Sequence, residues 1–446
     1  MGLYTVVLGL GKTGLSCVRY LIRQGKSVVA MDSREQPPEL AALRQEFPRV
    51  PVYLGAFAEA ILAKADEILV SPGISLQEPA IQQQLLAGKP IIGDIELFAR
   101  AAKAPIVAIT GSNGKSTVTT LLGEMVKQAG LQVHVAGNIG LPVLDTLQQP
   151  TPDWYVLELS SFQLETTTSL RTAAATILNI TEDHMDRYAN FAEYKAAKQR
   201  IYRDCNRIVY NRQDAHTQPE PKVTAHCISF GIDESTVENQ YGLLYEQEQL
   251  WLAKGREKLL AVSQLKLMGK HNWTNALAAL GLGEAMGLPL AAMLVTLKQF
   301  HGLAHRCEWV GEMQDVQWYN DSKATNVGAA IAAIEGLGQI ISGKLIVLAG
   351  GVGKEADFSP LRKPLADYAR AIVLFGVDAP EIAKIIPSTV LQVKANDMSE
   401  AITIAQQQAK AGDAVLLAPA CASFDMFNNF EHRGEIFKTL VRSKLV

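Results

Sequence analysis

At 446 residues the chain is longer than one hydrophobic core normally organises, and roughly 100–200 residues per domain predicts two to four domains, with three as the expectation. Its 42 lysines and arginines against 45 aspartates and glutamates leave a formal net charge of −3 with no basic run, which excludes a phosphate-neutralising stripe and hence a nucleic-acid partner. A hydrophobic fraction of 48% with 20% charged residues excludes a disordered tail, and no apolar run reaches the roughly 18 residues that a membrane helix needs.

The apolar start from Thr5 to Leu10 lacks a basic leader and carries Gly9, so it reads as a buried strand and not as a signal peptide. Cys17, Cys205, Cys227, Cys307 and Cys421 are scattered, odd in number and never spaced as C-x-x-C. A reducing, cytoplasmic location is expected.

In chain order, a strand over Tyr4–Leu8 runs into Gly9-Leu10-Gly11-Lys12-Thr13-Gly14, a helix near Leu15–Gln24 and a strand Ser27–Met31 that ends on Asp32, a Rossmann-like unit. Strands follow at Glu67–Val70 and Pro90–Ile92, then a helix over Ile95–Lys103, which predicts a first domain over residues 1–93. A second unit opens with the strand Pro105–Thr110 and a helix from Lys115 to about Ala129. Its later strands fall at Trp154–Leu159, Ala174–Ile180 and Arg207–Tyr210. The stretch 212–268 is hard to read apart from short antiparallel strands within Gln240–Val262, and a helix Trp273 to about Met286 closes a domain expected over residues 94–302. The third unit, 303–446, has strands at Val316–Asn320, Leu345–Leu348, Ala371–Phe375 and Ala414–Leu417, with helices at Val327–Ile334 and Gly434–Ser443. The fold class expected is α/β in three domains, with a P-loop-type ATPase domain between two Rossmann-like ones.

The chemistry is densest at Gly111-Ser112-Asn113-Gly114-Lys115-Ser116-Thr117, where a strand meets a helix through a glycine-rich turn. Unpaired backbone N–H groups and the helix dipole converge there on an anion. Lys115 offers a cation to the β- and γ-phosphates and Ser116 a hydroxyl to Mg²⁺. The spacing is shorter than the general G-x-x-x-x-G-K-[ST], because Ile109 stands where the first glycine belongs. A plain strand–helix turn would not require Lys-Ser-Thr.

This loop resembles that of the Mur ligases and folylpolyglutamate synthetases, a superfamily of amide ligases that work through an acyl phosphate. Gly137-Asn138-Ile139-Gly140, Glu158–Leu164, Asn179–Asp186 and Gly269-Lys270-His271-Asn272 resemble the same superfamily in order and spacing, so the likeness covers nearly the whole chain. Glu158, at a predicted strand end, can hold Mg²⁺ directly or through water, although a solvated strand-end charge would look the same. A lone histidine is more often packing than a ligand, and the resemblance is what makes His184 a candidate for a second metal ion and for contact with the substrate. Lys198, read alone, is a surface lysine. The resemblance implies that it is carbamylated and reaches toward the metal, which requires an uncharged amine.

Gly9-x-Gly11-x-x-Gly14 with Asp32 also matches much of a dinucleotide fingerprint, which alone would suggest an NAD(P)-dependent oxidoreductase. The resemblance instead assigns this domain to the UDP part of a substrate, with Leu15, Ser16, Asp32, Ser33, Arg34, Ser71 and, from the second unit, Asn138 in contact with it; for Arg34 a surface ion pair is the alternative. In the third domain Asn320–Asn326 resembles a motif that meets nucleotide across the domain gap, so Asn272, Arg306 and Asp321 would clasp ATP on closure.

Gly350-Gly351-Val352-Gly353-Lys354 and Pro419–Asp425 resemble the D-glutamate-adding branch, and the Asp-Asn-Pro-Arg of diaminopimelate-adding relatives is absent. By position Lys323, Thr325, Lys354, Ser423 and Phe430 would hold D-glutamate. The implied reaction joins D-glutamate to UDP-N-acetylmuramoyl-L-alanine with ATP and Mg²⁺, two ions being expected, in a monomer; Lys115, His184 and Lys198 carry the catalytic roles. Another ligase of the superfamily, an oxidoreductase and a nucleotide-gated binding protein are the rival readings.

Overall fold

The computed structural model describes residues 4–220, 225–234, 237–267 and 269–444, so 221–224, 235–236 and 268 of the hard-to-read stretch lie outside the described residues. Three separate sheets follow one another along the chain. The first has five parallel strands in the order Val52–Leu54, Val28–Asp32, Thr5–Leu8, Glu67–Val70, Ile91–Ile92. Thr5–Leu8 is buried throughout, as the β-branched run of a parallel strand covered on both faces requires. Its helix, Lys12–Arg23, starts three residues earlier than the sequence suggests. Gly14 therefore lies inside the helix, where a Cβ would run into the carbonyl oxygen of Gly9.

The central sheet has nine strands, ordered Glu257–Ala261, Gln249–Lys254, Gln240–Glu246, His226–Phe230, Arg207–Asn211, Ala174–Ile177, Ile106–Thr110, Trp154–Glu158, Val133–Gly137. Seven are parallel, and the first two extend the edge as antiparallel hairpins. Ile106–Thr110 sits where the chain order reverses, with Trp154–Glu158 on one side and Ala174–Ile177 on the other, so three strand ends open on one crevice. The third sheet runs Glu308–Met313, Val316–Asn320, Ala414–Leu417, Leu345–Ala349, Ala369–Leu374, Leu391–Lys394, antiparallel only at its first pair.

The helix Asp94–Ala101 fastens the first sheet to the central one. Buried Glu96 accepts hydrogen bonds from the backbone N–H groups of Thr168 (2.7 Å) and Ser169 (2.9 Å), the Ser169 hydroxyl and Arg100. Burial opposes its charge, but these bonds prevail and pull the carboxyl down to about 2. A folded pKa below the unfolded one means a contribution present above pH 4.5 and lost as pH falls toward 2. We predict that Glu96→Ala lowers stability at pH 7 by about 2 kcal/mol, since the hydrogen bonds to a buried carboxylate are lost. Thermal melts of both proteins will converge as the pH approaches 2.

Candidate active site

The turn at the end of Ile106–Thr110 depends on two glycines. Gly111 has φ 154° and Gly114 φ 82°, and a Cβ on Gly114 would stand 2.5 Å from Asn275 Oδ1. Asn179, beyond the neighbouring strand, fixes the turn by accepting from Asn113 N on its side chain (2.8 Å) and from Ser112 N on its carbonyl (2.9 Å). The helix Lys115–Gln128 then begins with no side chain capping it, which leaves its positive end to a ligand.

Two lysines converge on this turn. Lys115 Nζ donates to the carbonyls of Gly111 (2.8 Å) and Ser112 (3.0 Å), and Lys198 Nζ donates to the same Gly111 carbonyl (2.9 Å). Lys198 is no surface residue: it is 2% exposed, on the inward face of the helix Phe191–Gln199, with its amine 4.7 Å from the Tyr194 ring centroid. Burial first, and then the Lys115 charge, push its pKa well below the ordinary lysine value, and burial lowers that of Lys115 as well. Two desolvated amines sharing one carbonyl are an arrangement that an anion would relieve.

Opposite them stands Glu158, at the end of Trp154–Glu158 and 1% exposed. Asn138 donates its side-chain amide to Oε1 (2.8 Å), while Oε2 is buried without a partner. An orphaned carboxylate oxygen is costly unless a cation takes it. Glu158 and the Ser116 hydroxyl fit Mg²⁺, which takes one or two protein oxygens and leaves the rest of its shell to phosphate and water. Among the described residues no group of three or more His, Cys, Asp or Glu side chains forms a ready metal cage.

The third unit reaches over this cluster. Arg306 Nη2 donates to Ser116 Oγ (3.0 Å), Asn326 donates to Asp183 Oδ2 (3.1 Å), and Lys354 lies 3.5 Å from Asp183. These contacts enclose a cavity of about 250 Å³ lined by Ser112, Lys115, Ser116, Asn138, Glu158, His184, Lys198, Arg306, Lys323, Thr325 and Lys354. An adjoining cavity of about 260 Å³ is lined by Gly114, Thr117, Asn272, Asn275, Arg306, Asp321 and Lys323. Burial raises Asp321 to about 7 against the pull of Arg306, and lowers Lys323 to about 8.

Leu15 and Ser16 are buried in the helix Lys12–Arg23, where Ser16 donates to Asp145 (2.9 Å). Asp32 is buried and bonded to Leu10 N and to Arg34, which is thus an ion-pair partner here, while Ser33 is exposed beside them. Ser71 donates to the Gly9 carbonyl (3.1 Å). Ser423 is buried and lines neither cavity. Phe430 is the first residue of the helix Phe430–Arg442, which begins four residues before the expected Gly434, and its ring stacks under Lys323 Nζ at 3.8 Å.

Three family models match the chain: the N-terminal domain of MurD-like Mur ligases over residues 4–93, the Mur ligase middle domain over 109–283, and the Mur ligase glutamate ligase domain over 305–421. A curated UDP-N-acetylmuramoylalanine–D-glutamate ligase of Pseudomonas aeruginosa is 55% identical over 98% of this chain and 97% of its own length. This chain belongs to the Mur ligase family. A ligase of the same name from Nitrosococcus oceani is 52% identical over 99% and 97% of the two chains. Two solved structures share the fold of this Mur ligase: MurF from Thermotoga maritima in complex with ADP (TM-score 0.63, 16% identity, 99% and 96% covered) and UDP-N-acetylmuramate-alanine ligase MurC from the same organism (0.62, 19%, 99% and 100%).

Asn275 and Tyr194 are features of this Mur ligase that sequence reasoning did not single out, and Asn179 and Asp183 entered only as parts of a motif, without a role. For Tyr194 a signal existed, because it stands four residues before Lys198 on one helix face. Its hydroxyl lies 3.0 Å from Ser112 Oγ.

Proposed function

We propose that this Mur ligase joins the amine of D-glutamate to the L-alanyl carboxylate of UDP-N-acetylmuramoyl-L-alanine, converting ATP to ADP and phosphate, as a step in peptidoglycan precursor synthesis. The observation that carries the reading is the meeting of Lys115 and Lys198 on the Gly111 carbonyl, across one cavity from the unpartnered Glu158 oxygen and beneath Arg306. Such a site neutralises a transferring phosphoryl group and supplies no side-chain nucleophile. Full-length likeness to two D-glutamate ligases supports the choice of substrate.

A carboxylate oxygen of the L-alanyl group attacks the γ-phosphorus as the bond to ADP breaks. The amine then attacks the acyl carbon, phosphate leaves with the former carboxylate oxygen, and the nitrogen loses a proton. Lys115 and Arg306 hold the phosphates, and Ser116 and Glu158 would hold a Mg²⁺ ion, which when bound would offset phosphate charge. Burial favours the uncharged form of the Lys198 amine, the form that adds to CO₂ with loss of a proton, and the resulting carbamate and His184 would hold a second ion. His184 stays neutral because burial lowers it to about 4, so its ring can ligate or accept the amine proton.

In this reading Asn113, Gly114, Thr117, Asn272 and Asp321 bind ATP. Leu15, Ser16, Asp32, Ser33, Arg34, Ser71, Asn138 and His184 receive the UDP substrate. Lys323, Thr325, Lys354, Ser423 and Phe430 receive D-glutamate. The first unit, 1–93, and the third, 303–446, are read as Rossmann-like around a P-loop-type ATPase domain, 94–302. No helix among the described residues is long and apolar enough to cross a membrane, and we place the enzyme in the cytoplasm as a monomer. Phosphate release is expected only when ATP, UDP-N-acetylmuramoyl-L-alanine and D-glutamate are all present, to stop with EDTA and to return with Mg²⁺. Turnover with L-glutamate and a folate but not with D-glutamate would contradict the assignment.

A further inference from the structure

The segment between the strand Ala174–Ile177 and the helix Phe191–Gln199 carries Asp183 and His184 without regular structure to hold them. His184 is held in left-handed backbone, with φ 59°, a costly conformation for a residue with a Cβ. What over-determines it is the turn that follows, in which Arg187 N and Tyr188 N both donate to the His184 carbonyl (2.9 and 3.3 Å).

The Arg187 side chain then leaves the central unit. Its Nη1 and Nη2 donate to the carbonyls of Gly73 (3.3 Å) and Ile74 (3.1 Å), in the loop that follows Glu67–Val70 of the first sheet and carries Ser71. The guanidinium carbon lies 4.3 Å from the centroid of the Phe162 ring, which meets the His184 ring edge-on at 4.8 Å. One planar cation thus touches the first unit's loop, the Phe162 ring and, through its own backbone, the His184 turn.

We infer that Arg187 is a positioning residue that ties the loop at residues 71–74 to the His184 turn, so that His184 takes up its reactive orientation only when the first unit is docked. The inference rests on the proposed reaction for its consequence but not for its geometry. The guanidinium suits the role because its fork reaches two carbonyls while its carbon lies over the Phe162 ring, which an ammonium cannot do together.

Hydrogen exchange of the full chain without ligands, followed by steady-state kinetics, tests this with Arg187→Ala and, should that variant fold poorly, Arg187→Lys. Exchange is expected to accelerate in both 71–76 and 183–188 in R187A and to be partly restored in R187K. With UDP-N-acetylmuramoyl-L-alanine, KM should rise and kcat fall roughly tenfold each in R187A, since a misplaced group costs rate as well as binding, while KM for ATP stays nearly constant. Acceleration confined to 183–188, or an unchanged kcat in a variant of an active enzyme, overturns the inference. Absence of ligation by the unaltered enzyme would sink the reaction assignment instead, and the exchange result would still decide the role of Arg187.

Discussion

Lys198→Arg will fold and carry a fixed positive charge, yet lose roughly 10²–10³-fold in kcat, the scale of removing one preorganised electrostatic group. Arginine stays protonated under any physiological condition and cannot add CO₂, and its fork must enter a place only 2% exposed. The wild-type amine lies against the Gly111 carbonyl, with burial and the Lys115 charge both favouring its uncharged form. Native mass spectrometry is expected to find the mass of one added CO₂ on the wild type and none on the variant. A variant with wild-type kcat would show that charge alone, not the carbamate, is what this position supplies.

Lys115→Ala will cost more, roughly 10³-fold in kcat or about 4 kcal/mol, because phosphoryl transfer relies almost wholly on groups that meet the developing charge. A second consequence separates this prediction from a simple charge count. The Lys115 charge lowers the Lys198 pKa, so its removal lets that pKa rise and reduces the uncharged fraction available to CO₂. The double variant K115A/K198A is therefore expected to lose little more than K115A alone, as groups acting as a unit do. Losses that multiply would mean that the two lysines act independently, despite sharing the Gly111 carbonyl.

Much of this arrangement was legible in the sequence where packing and local chemistry agree. Thr5–Leu8, Ile106–Thr110 and Leu345–Ala349 are apolar and buried along their whole length, so composition alone marks them. Three of the strands that went unmarked, Val52–Leu54, Val133–Gly137 and Leu391–Lys394, lie at sheet edges, are half-exposed or exposed at most positions and lack a continuous apolar run. Lys198 shows the opposite limit. Nothing within Ala196–Tyr202 says that a lysine is inside, because what buries it are the loop at Gly111 and the ring of Tyr194, brought in by the tertiary fold. Likewise Asp183 becomes a site residue only when Lys354 and Asn326 arrive from the third unit. Ser423 and Phe430 were carried over by motif; neither lines the cavity that Lys354 shares with Lys115, and Phe430 meets it through Lys323, whose amine lies over its ring.

His271 adds a pH signature to the joint between the second and third units. Its ring lies between Gly269 and Gly336, where a Cβ on either glycine would come within 3.0 Å of it, and burial, followed by the Arg306 charge, lowers its pKa to about 4. Because the folded value lies below the unfolded one, its contribution to stability is full above pH 6.5 and is lost as pH falls toward 4. Thermal melts of His271→Asn and of the wild type should therefore draw together as the pH falls through that window.

Mass spectrometry of the products reads out the ATP-driven amide bond to D-glutamate itself. Enzyme, Mg-ATP and UDP-N-acetylmuramoyl-L-alanine with D-glutamate are predicted to give the nucleotide-linked product extended by one glutamyl residue, together with ADP and phosphate. L-Glutamate in place of D-glutamate is predicted to give none. A product formed equally well from L-glutamate, or ATP consumed without any extended product, would contradict the account.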